Sequence, residues 1–393
     1  MRPAQRIANL PPYPFARLER VLSQLRAEGM DIIRLDIGSP DLPPAEPIVR
    51  ALQDRAAQPD QHGYGGYVGI KPLRVAIAQY YRQRFGVELD PETEVLPLIG
   101  SKEGIANMAL AWLDPGDIAL VPDPGYPTYS TGPFMVGAQV HYMPLLEENG
   151  FLPDLDSIPA DVLQRARLMW LNYPNNPTGA AAPAEFLQRA IDFCREHELL
   201  LCYDAPYCEN TYDGYVAPSI LQFEGAKEVA IEMNSLSKSH NLAGWRIAMA
   251  VGNETAVRAL ALVKSNIDSG IALPIQHMAI AALTGDQSWL QERNAVYAER
   301  RDIVIAGLEA VGIKVFRPKG AIYVWLRVPD GWSSADYAES LLRNTGVSIA
   351  PGSVFGEAGE GYARISLVQP ASRIREAMER WQEWACKGGA SSG

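Results

Sequence analysis

Cysteine is scarce in this 393-residue chain: Cys194, Cys202, Cys208 and Cys386 are the four, and none forms the paired CxxC spacing of a zinc site. So few thiols also exclude a secreted disulfide framework, and the expectation is reduced cysteines and no bound metal. No run approaches about eighteen apolar residues, and Met1-Arg-Pro-Ala-Gln-Arg-Ile7 has no apolar stretch of the kind a secretion signal carries. A soluble, cytoplasmic protein without a membrane partner is expected. Long basic runs are missing too, and the formal net charge of -11 argues against a nucleic-acid partner. Low-complexity insertions and short-period repeats are absent, and the Gly-rich loop His62-Gly-Tyr-Gly-Gly-Tyr-Val-Gly69 lacks the Gly-Lys-Ser/Thr of a nucleotide-phosphate loop.

What the chain has is apolar content, 47%, over a length that suggests two lobes. Pro14 to Gly29 carries a helical stripe at Phe15, Leu18, Val21, Leu22 and Leu25, and Ile32 to Ile37 reads as a short strand ending at Gly38. After a helix at 72–85 and a strand at 94–99, the pattern repeats strand, loop and helix from Asp117 onward. Strands are expected at 94–99, 118–121, 139–145, 168–171, 199–203, 229–233 and 245–251, with helices such as 72–85, 105–113 and 183–197 among them. That alternation predicts an α/β fold, a mostly parallel seven-stranded sheet flanked by helices, with ligands bound outside the carboxyl ends of its strands. After Asn253 a helix is expected to about Ser265, Asn266 to Gly270 interrupts it, and a longer helical stretch follows past Arg300. The last hundred residues give strands at 314–316, 321–328, 347–350 and 363–367 and helices at 334–342 and 371–385, a smaller α+β lobe. The division expected is an N-terminal segment 1–45 packing with the small lobe, a large domain 46–290, a small domain 291–386 and a tail 387–393.

The polar motifs gather at the strand ends. Asn234-Ser-Leu-Ser-Lys-Ser-His-Asn-Leu-Ala-Gly-Trp-Arg246 lies on the connection between two apparent strands and combines an amine, Lys238, with the hydroxyls of Ser235 and Ser237 and the planar cation of Arg246. Hydroxyls and a forked guanidinium suit a phosphate. An amine desolvated beside other cations is pushed toward its neutral, nucleophilic form, as a Schiff-base lysine requires. Gly100-Ser-Lys-Glu-Gly104 opens an apolar helix, where backbone N–H groups favour an anion. Asp123-Pro-Gly-Tyr-Pro-Thr-Tyr129, Asn172-Tyr-Pro-Asn-Asn-Pro-Thr-Gly179 and Asp204-Ala-Pro-Tyr207 follow three other strands. Taken singly, each has a bland alternative: a turn, a helix cap, a core aromatic. Together they fit a planar heteroaromatic cofactor bearing a phosphate, an aldehyde, a phenolate oxygen and a ring nitrogen. Lys238 would bond the aldehyde, Asp204 would pair with the ring nitrogen, and Tyr207 and Asn176 would donate to the phenolate oxygen. Tyr126 would cover a ring face, and Ser101, Lys102, Ser235, Ser237 and Arg246 would hold the phosphate.

The ordered set Asn176-Pro-Thr-Gly179, Asp204-x-x-Tyr207, Ser235-x-Ser-Lys238 and Gly244-Trp-Arg246 resembles the class I/II, fold-type I, pyridoxal 5′-phosphate-dependent aminotransferases over nearly the whole chain. The resemblance implies ping-pong transfer of an amino group between an amino acid and a 2-oxo acid. It implies a homodimer with shared active sites, in which Tyr64 reaches the cofactor phosphate of a neighbouring subunit, Gly38 lies near the substrate carboxylate and Arg364 binds it. Gly100-Ser-Lys-Glu-Gly104, Gly225-Ala-Lys-Glu-Val229, the stretch 264–270 and the stretch 359–367 look most like the LL-diaminopimelate branch, which serves lysine biosynthesis with 2-oxoglutarate as partner. That branch needs a site for a distal ammonium and carboxylate; Lys102 is the candidate for the carboxylate, and Asp268 or Glu103 for the ammonium. An alanine/glutamate-type aminotransferase is the alternative. A C–S lyase on the same fold and a non-catalytic cofactor-binding regulator are more remote, the latter because no helix-turn-helix or basic arm accompanies the body. Ser235-x-x-Lys238 also fits penicillin-binding acyl enzymes, but neither Ser-Asp-Asn nor Lys-Thr-Gly occurs. Ser239-His240-Asn241 departs from the branch's usual Thr-Tyr-Asn, and His240 stays open between a tail or cofactor contact and a satisfied structural histidine.

Overall fold

A computed structural model describes residues 1–8 and 16–389. Among them thirteen strands follow in chain order: β1 Ile33–Arg34, β2 Val95–Leu98, β3 Ile118–Asp123, β4 Gln139–Pro144, β5 Ala166–Asn172, β6 Leu200–Asp204, β7 Ala230–Ser235, β8 Ala248–Gly252, β9 Val315–Phe316, β10 Tyr323–Arg327, β11 Val347–Ser348, β12 Ala350–Pro351 and β13 Tyr362–Ser366. Seven of these make one sheet in the order β2-β8-β7-β6-β5-β3-β4. All are parallel except β8, which runs antiparallel to both neighbours.

The sheet's strands are apolar on both faces because helices cover both. Ile118 and Leu120 of β3 and Met169 and Leu171 of β5 enter one core; Ala119 and Val121, Leu168 and Trp170 alternate into the other. The second core is closed by the helices Ser101–Trp112 and Glu254–Ser265, the first by Lys71–Phe85 and Ala184–Glu196 among others. A further sheet, β12-β13-β10-β9, is antiparallel throughout. Its core includes Ile322, Val324, Ile365, Tyr337 and Trp381, and Ile33 and Leu35 of the N-terminal segment join it. Leu22 and Leu25 of the helix Ala16–Ala27 pack with Leu342.

Several boundaries differ from the sequence expectation. The long helical stretch after Gly270 is two helices, Leu273–Thr284 and Trp289–Glu309, broken where Gly285 adopts an extended conformation. The second of these begins beside the large core, where Trp289 is half-buried, and continues into the small one through Tyr297 and Val304. The expected strand 245–251 starts only at Ala248, because Ala243–Trp245 forms a helical turn and Arg246 has φ +54°. Val229 ends a short helix, Ala226–Val229, rather than opening β7. The expected strand 347–350 is split between β11, paired with β1, and β12, paired with β13. The N-terminal helix is described from Ala16; Pro14 and Phe15 lie outside the described residues, as do the tail residues 390–393. No helix among the described residues is long and apolar enough to cross a membrane.

Candidate active site

The carboxyl ends of β3, β5, β6 and β7 open on a cavity of about 520 Å³, lined also by the segment after β1 and by residues of β10 and β13. Ser101, Lys102, Tyr126, Asn176, Asp204, Tyr207, Ser235, Ser237, Lys238, Arg246, Gly38 and Arg364 all line it. Tyr64 does not; it is 89% exposed, on the loop before the helix Lys71–Phe85.

At the end of β7, Ser235 Oγ accepts the N–H of Ser237 at 3.2 Å and starts the short helix Leu236–Ser239, whose third residue is Lys238. Burial pushes the Lys238 amine toward its neutral form; the Tyr323 phenol opposes this, while Arg364 and Arg246 reinforce it. Its Nζ donates to the carbonyl of Gly38. A side chain at position 38 has no room, since a Cβ would stand 2.8 Å from Tyr323 Oη, so the backbone carbonyl can approach the amine. Behind Lys238, the buried Arg293 donates to the carbonyls of Lys238 at 3.3 Å, of Ser239, and of Glu209 at 2.6 Å. One guanidinium thereby ties the lysine turn to the segment that follows Asp204 and Tyr207.

Asp204 ends β6. Its Oδ2 accepts the Tyr129 hydroxyl at 2.6 Å, and its Oδ1, fully buried, has no partner. Burial raises its pKa to about 7, against the lowering effect of Tyr129. Tyr129 is itself fixed by stacking on Trp170, ring centres 5.0 Å apart, and by an edge contact with Tyr126. The Tyr207 hydroxyl lies 3.0 Å from that of Tyr323, and burial holds the Tyr207 phenol protonated.

Two cationic poles stand on either side. Arg246 reaches Gly100, whose φ is +79° and whose absent Cβ would lie 2.2 Å from Nη2, and also contacts Ser237 Oγ at 3.4 Å. The helix Ser101–Trp112 begins at the same place, so hydroxyls, a helix N-terminus and a guanidinium converge as an anion seat. Arg364, 4% exposed, donates to Asn176 Oδ1 at 2.8 Å and to the carbonyl of Asp36 at 2.8 Å, and lies over the rings of Tyr323 and Phe355 at 4.1 and 4.7 Å. Its Nε has no partner, and no carboxylate among the described residues forms an ion pair with it. A buried guanidinium without an acid suits an anionic ligand.

Pyridoxal 5′-phosphate fits this donor set on the structure's own terms. The orphaned Oδ1 of Asp204 awaits a cationic N–H, the amine of Lys238 is poised for an aldehyde, and the seat around Arg246 suits a dianion.

Other sequence expectations come out differently. Glu103 and Asp268 do not line the cavity. Both flank Lys264, 1% exposed, at 3.7 and 2.7 Å, and Glu103 also accepts Ile99 N–H and Asn107 Nδ2. Neither carboxylate faces this cavity, and both are engaged with Lys264. His240 is a satisfied structural histidine: Nδ1 meets Ser239 Oγ at 2.8 Å and Nε2 meets Gln287 Oε1 at 3.0 Å. Burial lowers its pKa to about 4, so it stays neutral. Sequence reasoning missed Tyr129, Tyr323 and Arg293. Only Tyr129 had a visible signal, because it closes the motif Asp123 to Tyr129 at the end of β3.

Known proteins are similar to nearly the whole of this chain. A family model described as aminotransferase class I and II matches residues 30–380. A protein named LL-diaminopimelate aminotransferase from Moorella thermoacetica is 50% identical over 380 residues, 97% of this chain and 97% of that protein. One of the same name from Dehalococcoides mccartyi is 49% identical over 97% of this chain and 98% of its own length. Among solved structures, substrate-bound BacF from Bacillus subtilis superposes with a TM-score of 0.93 at 40% identity, covering 98% of each chain. An aspartate aminotransferase mutant from Thermus thermophilus gives 0.92 at 30% identity, covering 98% of this chain and 100% of that one.

Proposed function

The chain belongs to the class I and II aminotransferases, enzymes dependent on pyridoxal 5′-phosphate, and from that premise we propose that its substrates are LL-diaminopimelate and 2-oxoglutarate. The bound cofactor supplies an aldehyde that takes up the amino group and a ring that accepts the electrons left when the Cα proton departs. The chain's own residues do the rest. Arg364 holds the substrate's α-carboxylate, and Asn176, its Oδ1 engaged by Arg364, keeps its amide N–H groups for the cofactor's phenolate oxygen. Lys238 Nζ, pushed toward its neutral form by burial, would take the proton from Cα and return it on the other side of the transferred nitrogen. Asp204 holds the ring nitrogen protonated, and Tyr129 keeps that carboxylate in place. Gly38 and Tyr323 close the wall beside the amine.

For the reaction, the supporting observation is the pairing of a half-buried, neutral-leaning Lys238 with a buried Arg364 that has no acid of its own. For the substrate, support comes from 50% identity over 97% of the chain to a protein named for LL-diaminopimelate. Lys102, which lines the cavity, is proposed for the distal carboxylate. We also propose a homodimer in which Tyr64 reaches the partner's phosphate seat. Its loop is tethered by the buried Gln276, which donates to the carbonyls of Gly65 and Ile271, and it presents Tyr64, Tyr67 and Val68 to the surface.

Single-turnover absorbance of the cofactor-loaded protein tests the substrate. Rapid spectral conversion by LL-diaminopimelate and glutamate, with alanine slow, is expected. Conversion by alanine and glutamate with diaminopimelate inert would place the protein among alanine-type enzymes.

A further inference from the structure

We propose that Glu19 selects substrates that carry a second ammonium group at the end remote from the reacting amine; this rests on the diaminopimelate reading above. Three carboxylates of this chain line the cavity: Asp204, Asp36 and Glu19. Asp204 is enclosed at the floor and bonded to Tyr129. The Asp36 side chain is 2% exposed and spent on a two-point pair with Arg34, Nε to Oδ1 at 2.7 Å and Nη2 to Oδ2 at 2.6 Å. Glu19, on the helix Ala16–Ala27, has a side chain 54% exposed and sits at the rim.

Arg34 fixes where Glu19 points. Its Nη2 and Nη1 reach the two Glu19 oxygens at 2.6 and 3.4 Å, and its own backbone is held by β11 through the pairing of Arg34 with Ser348. One guanidinium between two carboxylates leaves the rim with one net negative charge. The inner wall, with Arg364 and Arg246, is cationic. A substrate whose α-carboxylate lies on Arg364 would extend its tail away from those two guanidiniums, its distal carboxylate toward Lys102. An ammonium at the far end of the tail then finds in Glu19 the one lining carboxylate that is both exposed and incompletely used. Carboxylate oxygens have lone pairs enough to accept from Arg34 and from an ammonium together. Glu103 and Asp268 do not line this cavity and face Lys264 instead.

The Glu19–Arg34 pair also fastens the N-terminal helix to β1, so a loss of activity alone would not separate the two roles. A matched pair of substrates does. LL-diaminopimelate and L-2-aminopimelate have the same length and terminal carboxylates and differ in the distal ammonium. Native and Glu19→Gln proteins, both loaded with cofactor, are compared by the ratio of single-turnover kcat/KM for the two substrates. The native ratio favours diaminopimelate, and Glu19→Gln lowers it about tenfold, the low end for a hydrogen bond between charged groups because Glu19 is half exposed. The change appears in the half-saturation concentration, and Glu19→Asp keeps part of the preference. A ratio that is the same in native and Glu19→Gln proteins, or a native enzyme indifferent to the distal ammonium, overturns the assignment while leaving the enzyme's substrate reading intact. Native protein inert toward diaminopimelate overturns both.

Discussion

Tyr129 donates a hydrogen bond from its hydroxyl to one oxygen of Asp204 at 2.6 Å and leaves the other oxygen buried without a partner. In the cofactor-free protein that carboxyl titrates near 7, well above the roughly 3.9 of an unfolded chain. A raised carboxyl pKa contributes stability that is fully present below the unfolded value and lost as pH rises through the folded one. Between about pH 4 and 7 the cofactor-free protein should therefore lose up to a few kcal/mol, and Asp204→Asn should flatten that slope. Urea unfolding of both cofactor-free proteins at pH 5 and pH 8 measures it. An identical pH dependence in the two proteins would show that Asp204 is not held in its acid form.

Gly100 is expected to govern cofactor retention. Its φ of +79° and the 2.2 Å between a built Cβ and Arg246 Nη2 mean that Gly100→Ala both strains the turn and displaces the guanidinium. Cofactor affinity, followed by spectral titration of the apoprotein, should fall about tenfold, the consequence of weakening one charged hydrogen bond. An unchanged dissociation constant would mean that the anion seat lies elsewhere.

Arg293 is a positioning residue, since it touches the main chain of Lys238 and Ser239 rather than the cavity. In Arg293→Gln several buried carbonyls lose their donor, each costing about 1 to 3 kcal/mol. The lysine turn loosens, Lys238 becomes better solvated and its pKa rises toward the ordinary value. The expected signature is a lower kcat with a smaller change in KM, and an acidic limb of the kcat pH profile moved to higher pH. A merely structural role would lower the melting temperature and leave the limb where it is.

The large sheet was legible because its strands are short apolar runs ended by polar motifs, and the site residues from Asn176 to Arg246 sit at those ends. Boundaries slipped where tertiary pairing decides: residues 347–350 look like one strand, yet Ser348 and Ala350 pair with different partners. Tyr323 and Arg293 could not be read at all, since each meets its partner across dozens of residues and in sequence is an unremarkable strand aromatic and helix cation. Asp268 misled for the opposite reason. Its spacing of four from Lys264 on one helix and turn foretold an internal pair, and that pair, at 2.7 Å, turns it toward Lys264 rather than this cavity.

The account turns on Lys238 as the group that moves the proton at Cα. Lys238→Ala protein, loaded with cofactor and mixed with glutamate, is the direct measurement. The anion seat and Asp204 should still retain cofactor, while the single-turnover rate of amino-group transfer should fall about a thousandfold or more, as expected when a positioned acid–base group is removed. Transfer at a near-native rate would contradict the assignment and leave the amine beside Gly38 with no part in the chemistry.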